Sequence, residues 1–277
     1  MQLDHTTSPS DTDVLNRFAV YATGTANLHD RANTRYGHDM LTSGSSVVLG
    51  NTARANTVYA GTGGVLLREY ASIEGDILTD GIVDQRIYSA ISEEVFRFET
   101  MDMPNLSQFS WTGPSAPSGS DIVVDAGTTR FLAPGLNYAN ITINGNGTLW
   151  LVTCGDYFME SLMINSGAKV VVYDAAACGT TRINIRNQLV HRGSIVPSPG
   201  GTLDATTLLL GIFGSLGTID TPSMFIGTVF APSGHVTLAC NRTLVGAIYA
   251  EDITVFQDAR VIGVAGGIDS WLAMGGH

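Results

Sequence analysis

The sequence predicts an all-β chain, a right-handed parallel β-helix (β-solenoid) arranged in two sections. Three observations carry that expectation. The first is a repeat near the C-terminus: HVTLACNRTLVG (235–246) and DITVFQDARVIG (252–263) superpose at an offset of 17 residues, Thr237 on Thr254, Leu238 on Val255, Leu244 on Val261 and Gly246 on Gly263. A unit this short cannot bury its own apolar face, so copies must stack and align equivalent side chains in ladders. The second is a related phrase near the N-terminus, where Leu28, Leu49 and Leu67 are each followed four residues later by Ala32, Ala53 and Ala71, as Val255 is by Ala259. A small alanine suits a tight corner under the next coil. The third is composition: 14% charged residues, 32 glycines and runs rich in Val, Ile, Leu and Thr favour strands over helices.

Taken in order, residues 1–17 read as a leader or cap. Ser10 and Asp13, ahead of Val14, Leu15 and Phe18, resemble the start of a short helix over the first coil; an extended lead-in strand is the alternative. Residues 18–85 form the N-terminal solenoid section, with Gly44, Gly61, Gly63, Gly64, Gly75 and Gly81 expected to supply positive-φ turns. Residues 86–120 break the rhythm. Positions 89–98 predict one or two helical turns, and PSAPSGS (114–120) is loop composition, so this stretch is the connector. The C-terminal section, 121–265, resumes with apolar runs at 122–124, 141–143, 149–152, 162–164 and 170–173. Its fully apolar run 207–213 predicts a strand buried on both faces. The tail 266–277 carries Trp271, Leu272 and Met274.

A net charge of −11 argues against nucleic acid as a partner, because phosphates demand basic patches. It equally disfavours an anionic membrane surface. No apolar run approaches a membrane span, and the N-terminus lacks a basic and an apolar signal region, which leaves a cytoplasmic chain or a mature form. A Thr/Ser/Asn/Gly-rich chain with Lys169 as its one lysine points to the outside of the cell or its surface. Cys154 and Cys178 are a candidate disulfide between neighbouring coils, buried free thiols being the alternative, and Cys240 is left over.

The order APG, Tyr138, ITING, GTLWL, GDYFMESLMINSGAKVVV, RINIRNQL, LLLGIFGS and FIGTVFAPSGHVTLA resembles a group of secreted bacterial β-helical domains of undefined function, including myxobacterial-type exoprotein modules. FAVYATGTANL followed by LTSGSSVVLGNTA is similar to the opening of choice-of-anchor A surface domains, and the short coils are loosely similar to bactofilins. The likeness spans most of residues 18–265 and implies a β-helical scaffold at the cell surface. The motifs that carry it are structural.

Residues able to do chemistry are sparse. Glycoside hydrolysis needs two carboxylates across a groove; Asp156 with Glu160, Asp174, Asp204, Asp220 and Glu251 with Asp252 are available, but solvated loop acids explain them equally. Asp121 and Asp125 share a strand face and are the candidate Ca²⁺ ligands. The histidines show no metal-ligand spacing, and no nucleophile elbow or phosphate loop occurs, so no catalytic residue and no cofactor are expected. Asn146 and Asn241, like Asn140, stand in Asn-x-Ser/Thr sequences and read as turn residues. Trp111, Tyr138, Tyr157 and Tyr173 are candidates for sugar stacking, whereas Trp150, inside an apolar run, reads as core. The expected function is a non-enzymatic extracellular structural subunit, a homo-oligomer or polymer that stacks end to end into a filament or surface layer, with 225–263 as a stacking end. A glycan-binding adhesive module is the alternative. A polysaccharide lyase or hydrolase, with Arg182 or Arg186 beside two carboxylates in a groove, is the third.

Overall fold

The computed structural model describes residues 18–36, 39–42, 45–96, 106, 113–114, 119–173 and 178–264. Its strands pair in parallel, coil upon coil, and form a β-solenoid with three faces. In the coil that starts at Phe18, Phe18–Ala22 lies on the first face, Ala26–Leu28 on the second and Asn33–Tyr36 on the third. Longer strands such as Thr228–Leu238 run over two faces and turn at a register shift between Ala231 and His235.

The order of coils is not the order of the chain. Ile122–Val124 stands at one end, and Asn137–Ile143, Gly155–Ile164 and Thr181–His191 stack on it in turn. Leu208–Ile212 with Leu216–Ile219, then Thr228–Leu238, then Ile248–Val255 follow. The next neighbour of Ile248–Val255 is the N-terminal coil, with Val20 opposite Ile248 and Leu28 opposite Val255. The stack continues through Val47–Leu49 and Val65–Leu67 to Val83–Gln85 and Val95–Phe96. The last C-terminal coil and the first N-terminal coil therefore meet inside the solenoid. Residues 225–263 are paired on both sides and are not the stacking end that their sequence position suggests.

The repeats align as their residues do. Leu238 lies against Val255 and Leu244 against Val261, while Leu28, Leu49 and Leu67 form one ladder. On the second face the inward row passes through Ile143, Ile164, His191, Ile219, Leu238, Val255, Leu28, Leu49 and Leu67, all buried. Leu208–Ile212 is buried throughout, as its unbroken apolar run requires.

The corner between the second and third faces explains the alanine spacing. Arg31, Thr52, Tyr70, Tyr88, Asn241 and Asp258 each stand at φ near 60°. The next residue after four of them is a fully buried alanine: Ala32, Ala53, Ala71 and Ala259. Asn146 and Asn241 are such corner residues, whereas Asn140 lies in a strand. Glycine is not the main source of these turns. Gly44 lies outside the described residues; of Gly61, Gly63, Gly64, Gly75 and Gly81 only Gly64 has positive φ, and Gly63, Gly75 and Gly81 are instead places where a Cβ would strike the coil below or beside it. The helical turns expected over 89–98 do not occur in the described part, residues 89–96. Ala90–Ile91 pairs with Ser72–Ile73 and Val95–Phe96 with Ile77–Thr79, so coil pairing outweighs local periodicity there.

Leu106 of the connector packs on the first face. Outward-facing Tyr21, Tyr59, Phe230 and Tyr249 gather with Phe18 and Leu209 around buried Leu106, and Pro114 O accepts a hydrogen bond from Asn137 Nδ2 at 3.1 Å. The expected N-terminal cap (1–17) and the tail (266–277), with Trp271, lie outside the described residues.

Cys154 and Cys178, 24 positions apart in the chain, form a disulfide, and Cys240 is a free, exposed thiol. Closing a loop of this length stabilises by about 3 kcal/mol in the chain-entropy account. Cys154→Ser with Cys178→Ser is expected to lose about that much in urea unfolding, and an unchanged midpoint would show that the bond adds nothing.

Candidate functional site

Alternation along each strand of the second face sends one row inward and leaves another facing out. Between buried Ile141 and Ile143 stands Thr142; between buried Val236 and Leu238 stands Thr237. Register links these outward residues into a single line. It begins with Val123, Thr142, Met163 and Val190 and continues with Thr218, Thr237 and Thr254. Across the meeting of the chain ends it goes on through Asn27, Val48 and Leu66, reaching a charge only at Asp84 in the last coil of this face. Successive members are separated by one strand spacing, about 4.8 Å. Three consecutive threonines occupy the centre, Thr218 and Thr237 half-buried and Thr254 buried between its neighbours.

The junction that makes this line continuous is held at several levels. Thr25 N donates to Asp252 Oδ1 at 2.7 Å, and Ile253 N donates to Thr25 O at 2.9 Å. His29 stacks on Phe256 at 4.7 Å. At the corner, Arg31 makes two 2.6 Å hydrogen bonds to Asp258, which hold the Asp258 carboxyl below the usual range. The pair is solvent-exposed, so geometry more than energy is what it contributes. Packing below it is aliphatic, Ile253 on Ala26 and Val255 on Leu28.

The other faces differ. The first carries the aromatic cluster of Tyr21, Tyr59, Phe230 and Tyr249 with Leu106 packed on it. The third is broken into two sheets, one of four strands and one of seven, and carries Lys169, Arg54 and Arg260 along its strands. Trp150 belongs to it. It is half-buried and outward beside Phe131 at 6.3 Å, while Leu149 and Leu151 fill the core. The core reading of Trp150 is corrected by strand alternation.

The residues singled out for other chemistries do not converge. Asp121 Oδ1 accepts from Asn140 Nδ2 at 3.0 Å and Asp125 Oδ1 from Asn144 Nδ2 at 3.5 Å, so the flanks of Ile122–Val124 are tied to the next coil. No group of three His, Cys, Asp or Glu side chains suited to a metal occurs among the described residues. Arg182 bonds Asp156 at 3.2 Å and Arg186 bonds Glu160 at 3.4 Å. Asp220 is held by Arg242, Asp204 by Thr206 and Asp252 by Thr25, while Asp174 lies outside the described residues. Tyr157 is buried with its hydroxyl donating to Thr153 O, and the Tyr138 hydroxyl donates to Ala133 O, so these rings are no shared sugar platform. No described helix is long and apolar enough to cross a membrane.

No protein-family model and no curated protein matches the chain. Among solved structures it is similar to an ice-binding protein from an Antarctic biological consortium, at 15% identity, 95% of both chains covered and a TM-score of 0.43. It is similar to a glycosylated ice-binding protein from an Arctic yeast, at 11% identity over 94% of this chain and 95% of that one, with a TM-score of 0.38. A Shewanella frigidimarina ice-binding protein shares 14% identity over 92% and 96% of the two chains, also with a TM-score of 0.38. A choice-of-anchor A or bactofilin relationship does not emerge from these comparisons. The filament or surface-layer function is corrected: its expected stacking end, residues 225–263, is paired on both sides inside the solenoid. The glycan-binding alternative finds no support in the placement of Tyr138 and Tyr157, and Trp111 lies outside the described residues.

Proposed function

We propose that the protein is a non-enzymatic, extracellular ice-binding protein and that the second face is the surface that meets ice. The face itself, more than any likeness, supports this reading: one continuous uncharged line from Val123 to Leu66, centred on Thr218, Thr237 and Thr254. Ice presents a neutral, rigid and periodic array of water. A charged side chain on the opposing surface keeps its own hydration shell and must be desolvated. Threonine offers a methyl group and a hydroxyl at a spacing fixed by the backbone ladder, and its β-branched χ1 loses little freedom on contact. The solenoid keeps every member in register without any motion of its own. The Cys154–Cys178 bond fits an oxidising compartment.

The test is thermal hysteresis, the gap between melting and freezing of a single ice crystal in solutions of the protein. A concentration-dependent gap with faceted crystals is expected. Round crystals and no gap at any attainable concentration would remove the proposal.

A further inference from the structure

We propose that His191 is an acid latch built into the second face: its protonation opens the two stacked coils of residues 181–226 and disrupts the middle of that surface. His191 is fully buried, in the inward row between Ile164 and Ile219, with the edge of Phe225 at 5.7 Å. The other members of that row from Ile143 to Leu67 are aliphatic. Neither Nδ1 nor Nε2 has a hydrogen-bond partner among the described residues. An aliphatic side chain would continue the ladder, so the imidazole adds a titratable group that packing does not require.

The surroundings give a charged ring no acceptor. On its own strand the neighbouring charge is Arg192, which is exposed. On the following coil Asp220 donates its backbone N–H to His191 O at 2.7 Å, and its carboxylate is already engaged by Arg242 at 2.9 Å. The preceding coil presents Ile164, and the third face presents Phe225. A buried cation without a partner is expelled to water, which here means opening the coil. The coil of His191 carries Val190 of the outward line, and the coil stacked on it carries Thr218.

Burial pushes the His191 imidazole down from 6.5 to about 4, against a smaller upward pull from Asp220. The open state binds the proton more tightly than the closed one, so closure is fully favoured above pH 6.5 and is lost as pH falls toward 4. Across that window the open fraction should rise roughly 100-fold, at tenfold per pH unit of depression once both states titrate.

The experiment measures amide hydrogen exchange at Val190 and Thr218, with urea unfolding alongside, at several pH values between 7 and 4 for wild type, His191→Leu and His191→Gln. Wild type should open roughly 100-fold more at the low end, while both variants, which cannot titrate, should lose most of that dependence. His191→Gln guards against a folding failure of His191→Leu. Wild-type-like pH dependence in either variant would overturn the proposal, as would wild-type exchange that rises no faster at Val190 and Thr218 than at Val48. The inference rests on the ice-binding reading only for what opening does to the face. Because these readouts contain no ice, their failure would leave that reading standing.

Discussion

Thr237→Lys is expected to reduce ice-binding activity at least about tenfold, equivalent to 1.4 kcal/mol, while leaving the protein folded. Thr237 lies mid-line between Thr218 and Thr254, with its side chain outward and its strand neighbours Val236 and Leu238 buried. A lysine there places a strongly hydrated ammonium above a plane of methyl and hydroxyl groups and holds the surface away from ice. Because the position is outward-facing, stability should change by no more than about 0.5 kcal/mol. Thr237→Val, which keeps the methyl and removes the hydroxyl, should cost less than lysine. Thr129→Lys, exposed on the third face, should leave activity unchanged. The measurements are thermal hysteresis at matched concentrations and circular dichroism. Equal losses for Thr237→Lys and Thr129→Lys would place the binding surface elsewhere.

Leu28→Ala is expected to destabilise the whole molecule by about 2–5 kcal/mol, the usual range for a buried leucine. Leu28 is buried between Val255 of the last C-terminal coil and Leu49 of the next N-terminal coil. It therefore fills a cavity-sensitive position in the one layer that joins the two parts of the chain. Loss of packing there weakens the junction on which the continuous face depends. The same geometry makes a covalent prediction. Asn27 and Thr254 are register partners, so Asn27→Cys with Thr254→Cys should oxidise to a disulfide within one molecule. Failure to crosslink, with both thiols accessible, would contradict the coil order.

Much of the solenoid was legible because its signals are local. The pairing of Leu238 with Val255 and the ladder of Leu28, Leu49 and Leu67 follow from a repeat that the structure places in adjacent coils. Even the likeness of Leu28 and Ala32 to Val255 and Ala259 marks true neighbours, since Leu28 stacks directly on Val255. What sequence order hides is that this contact spans 227 positions. A repeat says that two segments are equivalent, and not which of them adjoin. The C-terminal coils accordingly look like a free end until the N-terminal coil is seen lying on them.

The candidate site was harder to read for a related reason. Thr237 over Thr254 was visible as repetition, but Thr218 sits in a different phrase, and Asn27, Val48 and Leu66 are remote in the chain. Chemistry-bearing residues draw attention to carboxylates and histidines, which among the described residues gather into no group of three suited to a metal. A surface made of what it lacks has no motif. The signal that would have exposed it is the absence of charge at one strand position through successive repeats. Trp150 illustrates the complementary error: an apolar run suggested core, but alternation turns that position outward. Likewise Ala90–Ile91 and Val95–Phe96 are strands because the preceding coil offers a ready template, not because their own sequence demands it.

The central claim, that an uncharged line assembled across the meeting of the chain ends binds ice, is tested most directly by slow growth of ice from a solution holding wild type and Thr237→Lys, each with its own fluorescent label. Wild type should be taken up into the ice and Thr237→Lys left in the liquid. Exclusion of both would contradict ice binding, and equal uptake of both would contradict this face.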